Sequence, residues 1–344
     1  MLKKFIREKM QENRSLKSIY NGSRAFYHRA RKLSFFAYDV THTFKHMSWT
    51  GGNQTQYSVI SSELLFQFHK LEKGLCMPGE KRFFGYDPAI ATIDLLQSWY
   101  EMGYSVNDPI YCGAIETLRA YRMRLSQTPP KKGEILLRRL DQQLAAHAKI
   151  KIELETPQNI ITINPDDALP AYEKLVLARR SVREFSDQSI DPLLIERAIS
   201  LAQLSPSACN RQPCRVHLYS AKDKIERLLS LQNGNRGFGH TAPMLLIITS
   251  DANTFFDASE RNQPYVDGGL FSMNLLYALQ AQGLSTCCLN WCAEPAQDKA
   301  AHRDGEIPQA ERIIMYLLVG YAANTARVPR SARRALENTL ITHS

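Results

Sequence analysis

The sequence predicts an α/β protein, a three-layer sandwich of helices around a central sheet, preceded by an all-helical N-terminal region. Two observations predict this. In the second half, helical patterns alternate with short apolar runs at residues 216–219, 244–249, 286–291 and 313–319. Helices alternating with buried strands pack as a sheet covered on both faces. In the first half strand signals are few and helix starts recur. Asp87-Pro88 and Asp108-Pro109 each put an acid before a proline, and proline at the first helical position gives up no hydrogen bond.

Taken in order, residues 1–50 read as helical in part, with a break at Asn21-Gly22 and a linker at Gly51-Gly52-Asn53. Ser61 or Ser62 is a candidate cap for a helix bearing Leu64, Leu65, Phe68 and Leu71, ended by Gly74. The Asp87-Pro88 helix carries Ile93, Leu96, Trp99 and Tyr100 on one face and stops at Gly103. The Asp108-Pro109 helix bears Ile115, Leu118 and Leu125 and stops at Pro129-Pro130. Leu136, Leu137, Leu140 and Leu144 follow at helical spacing. A helix over 167–179 comes next, then one from Asp191-Pro192 to about Leu204, one over 221–231, and a long apolar one over 267–282 ended by Gly283. The run 244–249 is apolar at nearly every position, as in a strand buried on both faces. These readings divide the chain into an arm (1–55), a helical region (56–150), a connector (151–166) and an α/β unit (167–344).

The 344 residues leave room for one large or two ordinary domains. Net charge is +9, but residues 1–50 alone hold eleven Lys and Arg against Glu8, Glu12 and Asp39. The basic character therefore belongs to the arm. The arm also carries Phe5, Ile6, Leu16, Ile19, Tyr20, Phe26, Tyr27, Leu33, Phe35 and Phe36. It can pack these residues on the rest of the protein and leave its lysines solvated. Basic and aromatic residues together also suit an anionic membrane surface and, as a third choice, a nucleic-acid backbone. No apolar run approaches the ~18 residues of a membrane span, and no secretory signal pattern follows the basic start. Seven cysteines, an odd number without paired CxxC spacing, read as free thiols in a reducing cytoplasm, with no metal site.

Two segments concentrate the chemistry. Arg179-Arg180-Ser181-Val182-Arg183 sets three guanidiniums and a hydroxyl in five residues, and the planar guanidinium fork pairs two phosphate oxygens at once. Ser205-Pro206-Ser207-Ala208-Cys209-Asn210-Arg211-Gln212-Pro213 offers small and amide side chains, and an amide supplies both donors and an acceptor to a polar heterocycle. A surface salt bridge explains a lone arginine, and a turn explains Ser, Pro and Asn. The clustering and the Asn-x-Gln-Pro continuation argue for a phosphorylated ring cofactor.

These segments resemble the nitroreductase family of flavin enzymes. Arg179 to Phe185 fits Arg-x-Ser-x-Arg/Lys-x-Phe. Ser205 to Cys214 fits Ser-Pro-Ser-x-x-Asn-x-Gln-Pro-Trp except that Cys214 replaces Trp. Leu317-Leu318-Val319-Gly320-Tyr321 and Pro329-Arg330-Ser331 fit the closing strand and basic tail. The resemblance covers roughly residues 167–344 and implies a mixed central sheet, a homodimer, and FMN bound between subunits. It implies that Arg179, Ser181 and Arg330 lie at the phosphate end and Arg183 at the flavin N1/C2 edge, with Arg180 also cofactor-binding. A fixed cation there stabilises the reduced ring. It implies that Pro206, Ser207, Asn210 and Gln212 reach the ring from the neighbouring subunit, and that Leu289, Asn290 and Trp291 bring backbone N–H groups to N5.

Departures from the pattern shape the remaining expectations. Asn290 and Trp291 stand where the family has Gly-Gly, so two large side chains are expected to narrow the space over the ring. Ala332 replaces a second basic tail residue, with Arg333 beside it. Asp267-Gly268-Gly269 heads the helix that builds the family's dimer interface, and the glycine-rich 233–240 stretch reads as a mobile loop near the site. Cys287 and Cys288, adjacent on a strand, should face opposite sides as buried structural thiols. His69, Glu72 and Lys73 share a helical face, either as substrate or acid/base groups or as a solvated helix end. Their segment resembles one found upstream of the nitroreductase module in relatives tied to bacterial surface-polysaccharide pathways.

The function the resemblance implies is FMN-dependent hydride transfer from NADH or NADPH to an electrophilic small molecule, in the cytoplasm, with contact at the inner membrane face an option for the arm. One alternative is a flavin enzyme that oxidises its substrate directly without free NAD(P)H. Another is a non-catalytic, membrane-associated scaffold for polysaccharide biosynthesis.

Overall fold

The computed structural model describes residues 14–49, 56–78, 82–127, 133–150 and 156–343. The Gly51-Gly52-Asn53 linker, the Pro129-Pro130 stop and residues 1–13 lie outside the described residues. The chain opens with a long helix α1 (Arg14–His46). The helices α2 (Tyr57–Cys76), α3 (Tyr86–Glu101), α4 (Pro109–Gln127) and α5 (Glu134–Ala146) follow. The α/β unit runs α6 (Pro165–Ala178), α7 (Pro192–Ala202), β1 (Cys214–Tyr219), α8 (Lys222–Ser230), β2 (Met244–Asp251), α9 (Gln263–Ala281), β3 (Ser285–Asn290), α10 (Pro295–Gly305) and β4 (Glu311–Gly320).

The four strands are ordered β1-β2-β4-β3, each pair antiparallel. The parallel element of the expected mixed sheet is a single bridge, Ser181 to Thr286 at the β3 edge. All eight residues of β2 are buried, because both faces of this central strand are covered. Leu245 and Ile247 face one core with Ile225, Leu228 and Leu229 of α8. Leu246 and Ile248 face the other with Ala198 of α7 and Leu275 and Leu279 of α9. Cys287 and Cys288 divide between these two cores in the same way, as the two-residue repeat of a strand requires.

The helical region has a separate core, including Leu64, Leu71, Leu96, Trp99, Leu118, Tyr121, Leu136 and Leu140. Two expectations here are corrected. The helix with Ser61 and Ser62 starts earlier, at Tyr57 behind Gln56, and both serines are buried inside it. The Tyr57 ring sits edge-on to Trp99 and Tyr104, at 5.5 and 5.6 Å, and this packing recruits the extra turn. The break at Asn21-Gly22 is absent, since α1 runs through it. One exposed glycine costs only about 1 kcal/mol in a helix, too little to stop one anchored further along.

That anchorage lies along the C-terminal half of α1. Arg31 pairs with Glu294, and the Tyr38 hydroxyl donates to Asp298 at 2.7 Å. Arg312 donates to Asp39 at 2.9 Å, His42 Nε2 donates to the Gln309 carbonyl at 3.0 Å, and Trp49 donates to the Asn253 carbonyl at 3.0 Å. Residues 31–49 are thus held to the rest of the protein by polar contacts, while the apolar Leu33 and Phe36, expected to pack in the first alternative, are 71% and 67% exposed. Among the described residues no helix is long and apolar enough to cross a membrane.

Candidate functional site

The arginine segment follows α6, which Asn164 caps by accepting from the Asp166 N–H. Two contacts tie it to the sheet. The Val182 N–H donates to the Thr286 carbonyl at 2.9 Å, and Phe185 bridges to Ala322 just past β4. A Cβ on Gly320 would come within 2.7 Å of the Phe185 ring and 2.8 Å of Pro243. The Phe of the first motif and the Gly of the closing strand are thus two halves of one contact. It fixes the arginines at the start of β3 and the end of β4.

Arg180 donates to the carbonyls of Arg179 (2.7 Å) and Val176, Arg183 donates to the Ser181 carbonyl, and the Arg183 guanidinium lies 5.7 Å from the Phe238 ring. Among the described residues none of these three guanidiniums has a carboxylate partner. A cluster of unneutralised cations beside a serine hydroxyl has the chemistry of a phosphate site. Arg330 lies on the exposed tail that leaves β4 beside this segment, and Arg333 turns back onto the Ser331 carbonyl.

At the end of β3, Leu289 is buried and Asn290 is exposed. The Asn290 carbonyl accepts from Gln232 Nε2 at 3.0 Å, and its amide donates to Cys292 Sγ at 3.0 Å. The Trp291 indole does not take the place expected for it. It stacks on Tyr316 at 4.6 Å and 14°, and its N–H donates to Asp298 at 2.7 Å. A cavity of about 220 Å³ separates Asn290–Ala293 from residues 231–234. The glycine-rich stretch beyond is a hydrogen-bonded turn: Asn235 Nδ2 donates to the Leu229 and Gln232 carbonyls, both at 2.7 Å.

The amide segment enters β1, at the opposite edge of the sheet. Cys209, Asn210 and Gln212 all have φ near +50°, a left-handed region that costs non-glycine residues energy and marks functional segments. Three groups hold the strain. Asp267 of α9 accepts from the Ala208 N–H at 3.1 Å, Ser207 Oγ accepts from the Gln212 N–H at 3.0 Å, and Arg211 is locked beneath. Arg211 is 2% exposed, pairs with Glu260, donates to the Ala208 and Thr254 carbonyls, and has the Phe255 ring at 4.9 Å. Burial raises the Asp267 pKa against the bonds from Gln263 and Ala208.

A cavity of about 320 Å³ lies behind this segment, lined by Pro206, Ser207, Gln212, Arg215 and Asp267 and by Tyr57, Ser61, Leu65 and Ile110 of the helical region. Cys214 also lines it, and burial pushes its thiol up to about 12, so it stays protonated. The helical region thus supplies one wall. Gly268 allows α9 to approach its own strand β4, since a Cβ there would meet Ile314 at 2.6 Å. Gly269 faces open space.

α2 packs on the turn Ala208–Asn210. His69 Nδ1 donates to Glu72 at 3.1 Å, and both are partly exposed, the helix-end pair that was one of the two readings. Lys70 lies beside them on α2. Its ammonium sits 3.8 Å from the Phe66 ring centre, and burial lowers its pKa against the pull of Cys209.

Comparison with known proteins is decided by the stretch holding both motifs. Residues 176–234 and 226–321 match the model of the nitroreductase family. Residues 176–321 thus resemble that family. Two curated relatives are similar at low identity. One is named iodotyrosine dehalogenase 1 homolog, from Caenorhabditis elegans, 26% identical over 254 residues, covering 62% of this chain and 75% of the relative. The other is human iodotyrosine deiodinase 1, 25% identical over 202 residues, covering 50% and 68%. Among solved structures, a nitroreductase-like protein of Streptococcus mutans gives a TM-score of 0.46 at 20% identity, covering 51% of this chain and all of that one. A Desulfovibrio desulfuricans nitroreductase in complex with FMN gives 0.44 at 19%, covering 53% and 99%.

Reading the sequence missed Arg211 and Glu260, the cage of Trp49, Phe66, Phe255 and Phe256 around that guanidinium, and helix α10. For α10 the signal was present. Glu294-Pro295-Ala296-Gln297 is a capping box with proline at N1, and both reciprocal bonds form. For Arg211 there was none, because Glu260 and Thr254 lie 49 and 43 residues away.

Proposed function

We propose that this protein is an FMN-dependent oxidoreductase acting as a homodimer with two flavin sites, each built from both subunits. The observation that carries this reading is the set of three guanidiniums without carboxylates among the described residues, held at the start of β3 and the end of β4. FMN, when bound, would supply hydride transfer between a reduced nicotinamide and an electrophilic acceptor. Arg179, Arg180 and Ser181 would hold its phosphate, with Arg330 from the tail. Arg183, backed by Phe238, would set positive charge at the ring's N1 edge, and the Asn290 and Trp291 backbone would face its N5 edge. Pro206, Ser207, Asn210 and Gln212 would bind the ring from the second subunit.

Two features support the shared site. The arginine and amide segments hang from opposite edges of a four-stranded sheet, about 14 Å apart at ~4.8 Å per strand, and a two-fold partner would bring the two sets together. α9 also shows solvent a row of Tyr265, Val266, Leu270 and Met273, 37–51% exposed, as an unpaired interface helix would. The separate cores support treating 56–150 and 167–344 as two units joined by a connector, with the first walling the pocket of the second.

The test is the double variant Arg179→Ala/Arg183→Ala. Folded, dimeric protein that no longer retains FMN supports this reading, and retention at parental stoichiometry overturns it. A narrower choice of acceptor comes from the two relatives named for iodotyrosine. A halogenated aromatic is the acceptor to assay first, by halide release with NADPH and FMN-loaded protein.

A further inference from the structure

Helix α1 has two distinct faces, and among the described residues one of them holds the contacts to the α/β unit. At 100° per residue, Arg31, Phe35, Tyr38, Asp39, His42 and His46 fall within about 100° and hold the contacts to the α/β unit. Nearly opposite, Phe26, Leu33, Phe36, Val40 and Phe44 fall within about 80°. These five are 74%, 71%, 67%, 52% and 85% exposed. The stripe spans 19 residues, roughly 27 Å of helix at 1.5 Å per residue. Rows of this size on a surface mark a contact surface.

The charges around the stripe identify the occupant. Arg29 lies within its arc and Lys32 about 40° outside it, both exposed. The one acid of α1, Asp39, sits on the docked side and is taken by Arg312. Arg31 on that side is likewise taken by Glu294. The outer face is therefore apolar and cationic with no acidic residue. A protein partner of ordinary composition would leave those cations to be neutralised one at a time, whereas an anionic lipid surface neutralises them together and takes the apolar row into its acyl boundary.

We propose that the outer face of α1 lies in the plane of an anionic membrane, with Phe26, Leu33, Phe36, Val40 and Phe44 inserted, and carries the α/β unit on its inner face. Because α1 is clamped to the α/β unit through Glu294, Asp298, Gln309 and Arg312, the membrane then fixes the orientation of the whole molecule.

The experiment is co-sedimentation of the full chain with phosphatidylcholine vesicles and with vesicles containing 30% phosphatidylglycerol, beside size-exclusion chromatography. Phe36→Ser/Phe44→Ser and Arg29→Gln/Lys32→Gln are the variants, all at exposed positions outside the site. The expected result is binding to the anionic vesicles only. The aromatic variant should lower the partition coefficient about tenfold or more, the basic variant should lower it less, and elution volume should not change. Equal sedimentation by parent and aromatic variant, or no binding to anionic vesicles, overturns the proposal. A shift of the aromatic variant to a smaller species without loss of lipid binding also overturns it and assigns the stripe to a contact between copies.

Discussion

Arg211 is the fixed point of the strained amide segment, and replacing it tests how that segment is held. Its side chain is fully buried and its partner Glu260 is 20% exposed. Removing one member of a buried pair costs about 3–5 kcal/mol. Glu260 can regain water, so the lower end applies, while the Ala208 and Thr254 carbonyls lose a charged donor. Arg211→Met, which keeps the volume among the four rings, should therefore cost about 3–4 kcal/mol. Glu260→Gln keeps one hydrogen bond and should cost about half as much. Combined, they should cost less than their sum by about 1–2 kcal/mol, as expected for groups in contact. Urea denaturation followed by tryptophan fluorescence, with a shared slope for all variants, measures each value. An Arg211→Met variant within about 0.5 kcal/mol of the parent, the range of an ordinary surface change, would refute this assignment.

The remaining predictions concern other joints of the structure. Gly320→Ala forces its Cβ against Phe185 and Pro243 and should cost about 1–3 kcal/mol as overpacking, with weaker FMN retention measured by ultrafiltration. His42 lies in the α1 contact, where burial first and the Arg312 charge second lower its pKa to about 3. A depressed histidine contributes stability that is present above ~6.5 and lost as pH falls. Between pH 7 and 5 the folded protein should lose up to about 2 kcal/mol at this group, and His42→Gln should flatten that slope in denaturation midpoints. Trp291→Phe keeps the stack on Tyr316 and loses the bond to Asp298, about 1 kcal/mol. FMN affinity by fluorescence titration should not change, and a large change would return the indole to the site.

What could be read from the sequence was what local chemistry decides. β2 was legible because a strand covered on both faces has no polar side, and the 244–249 run shows none. The Asp191-Pro192 and Asp108-Pro109 starts were legible because each aspartate caps within two residues, at 2.9 Å to Leu193 N–H and 2.8 Å to Ile110 N–H. The arginine and amide segments were legible as motifs, yet their attachment to opposite sheet edges was not, since strand order depends on pairings far apart in sequence. The orientation of Trp291 was not legible for the same reason: it is set by Tyr316 and Asp298, and nothing beside it in sequence shows that. Asn21-Gly22 was overread because a local helix penalty was weighed without the anchorage of residues 31–49.

The measurement that bears most directly on the proposed chemistry is the visible absorption spectrum of the purified protein, before and after anaerobic addition of NADH or NADPH. A flavin-dependent reductase should show bound FMN near one per chain, and its absorbance should bleach with one of the two nicotinamides. Protein that neither carries FMN nor takes it up on incubation would contradict the assignment of Arg179, Arg180, Ser181 and Arg183 to a flavin phosphate and ring.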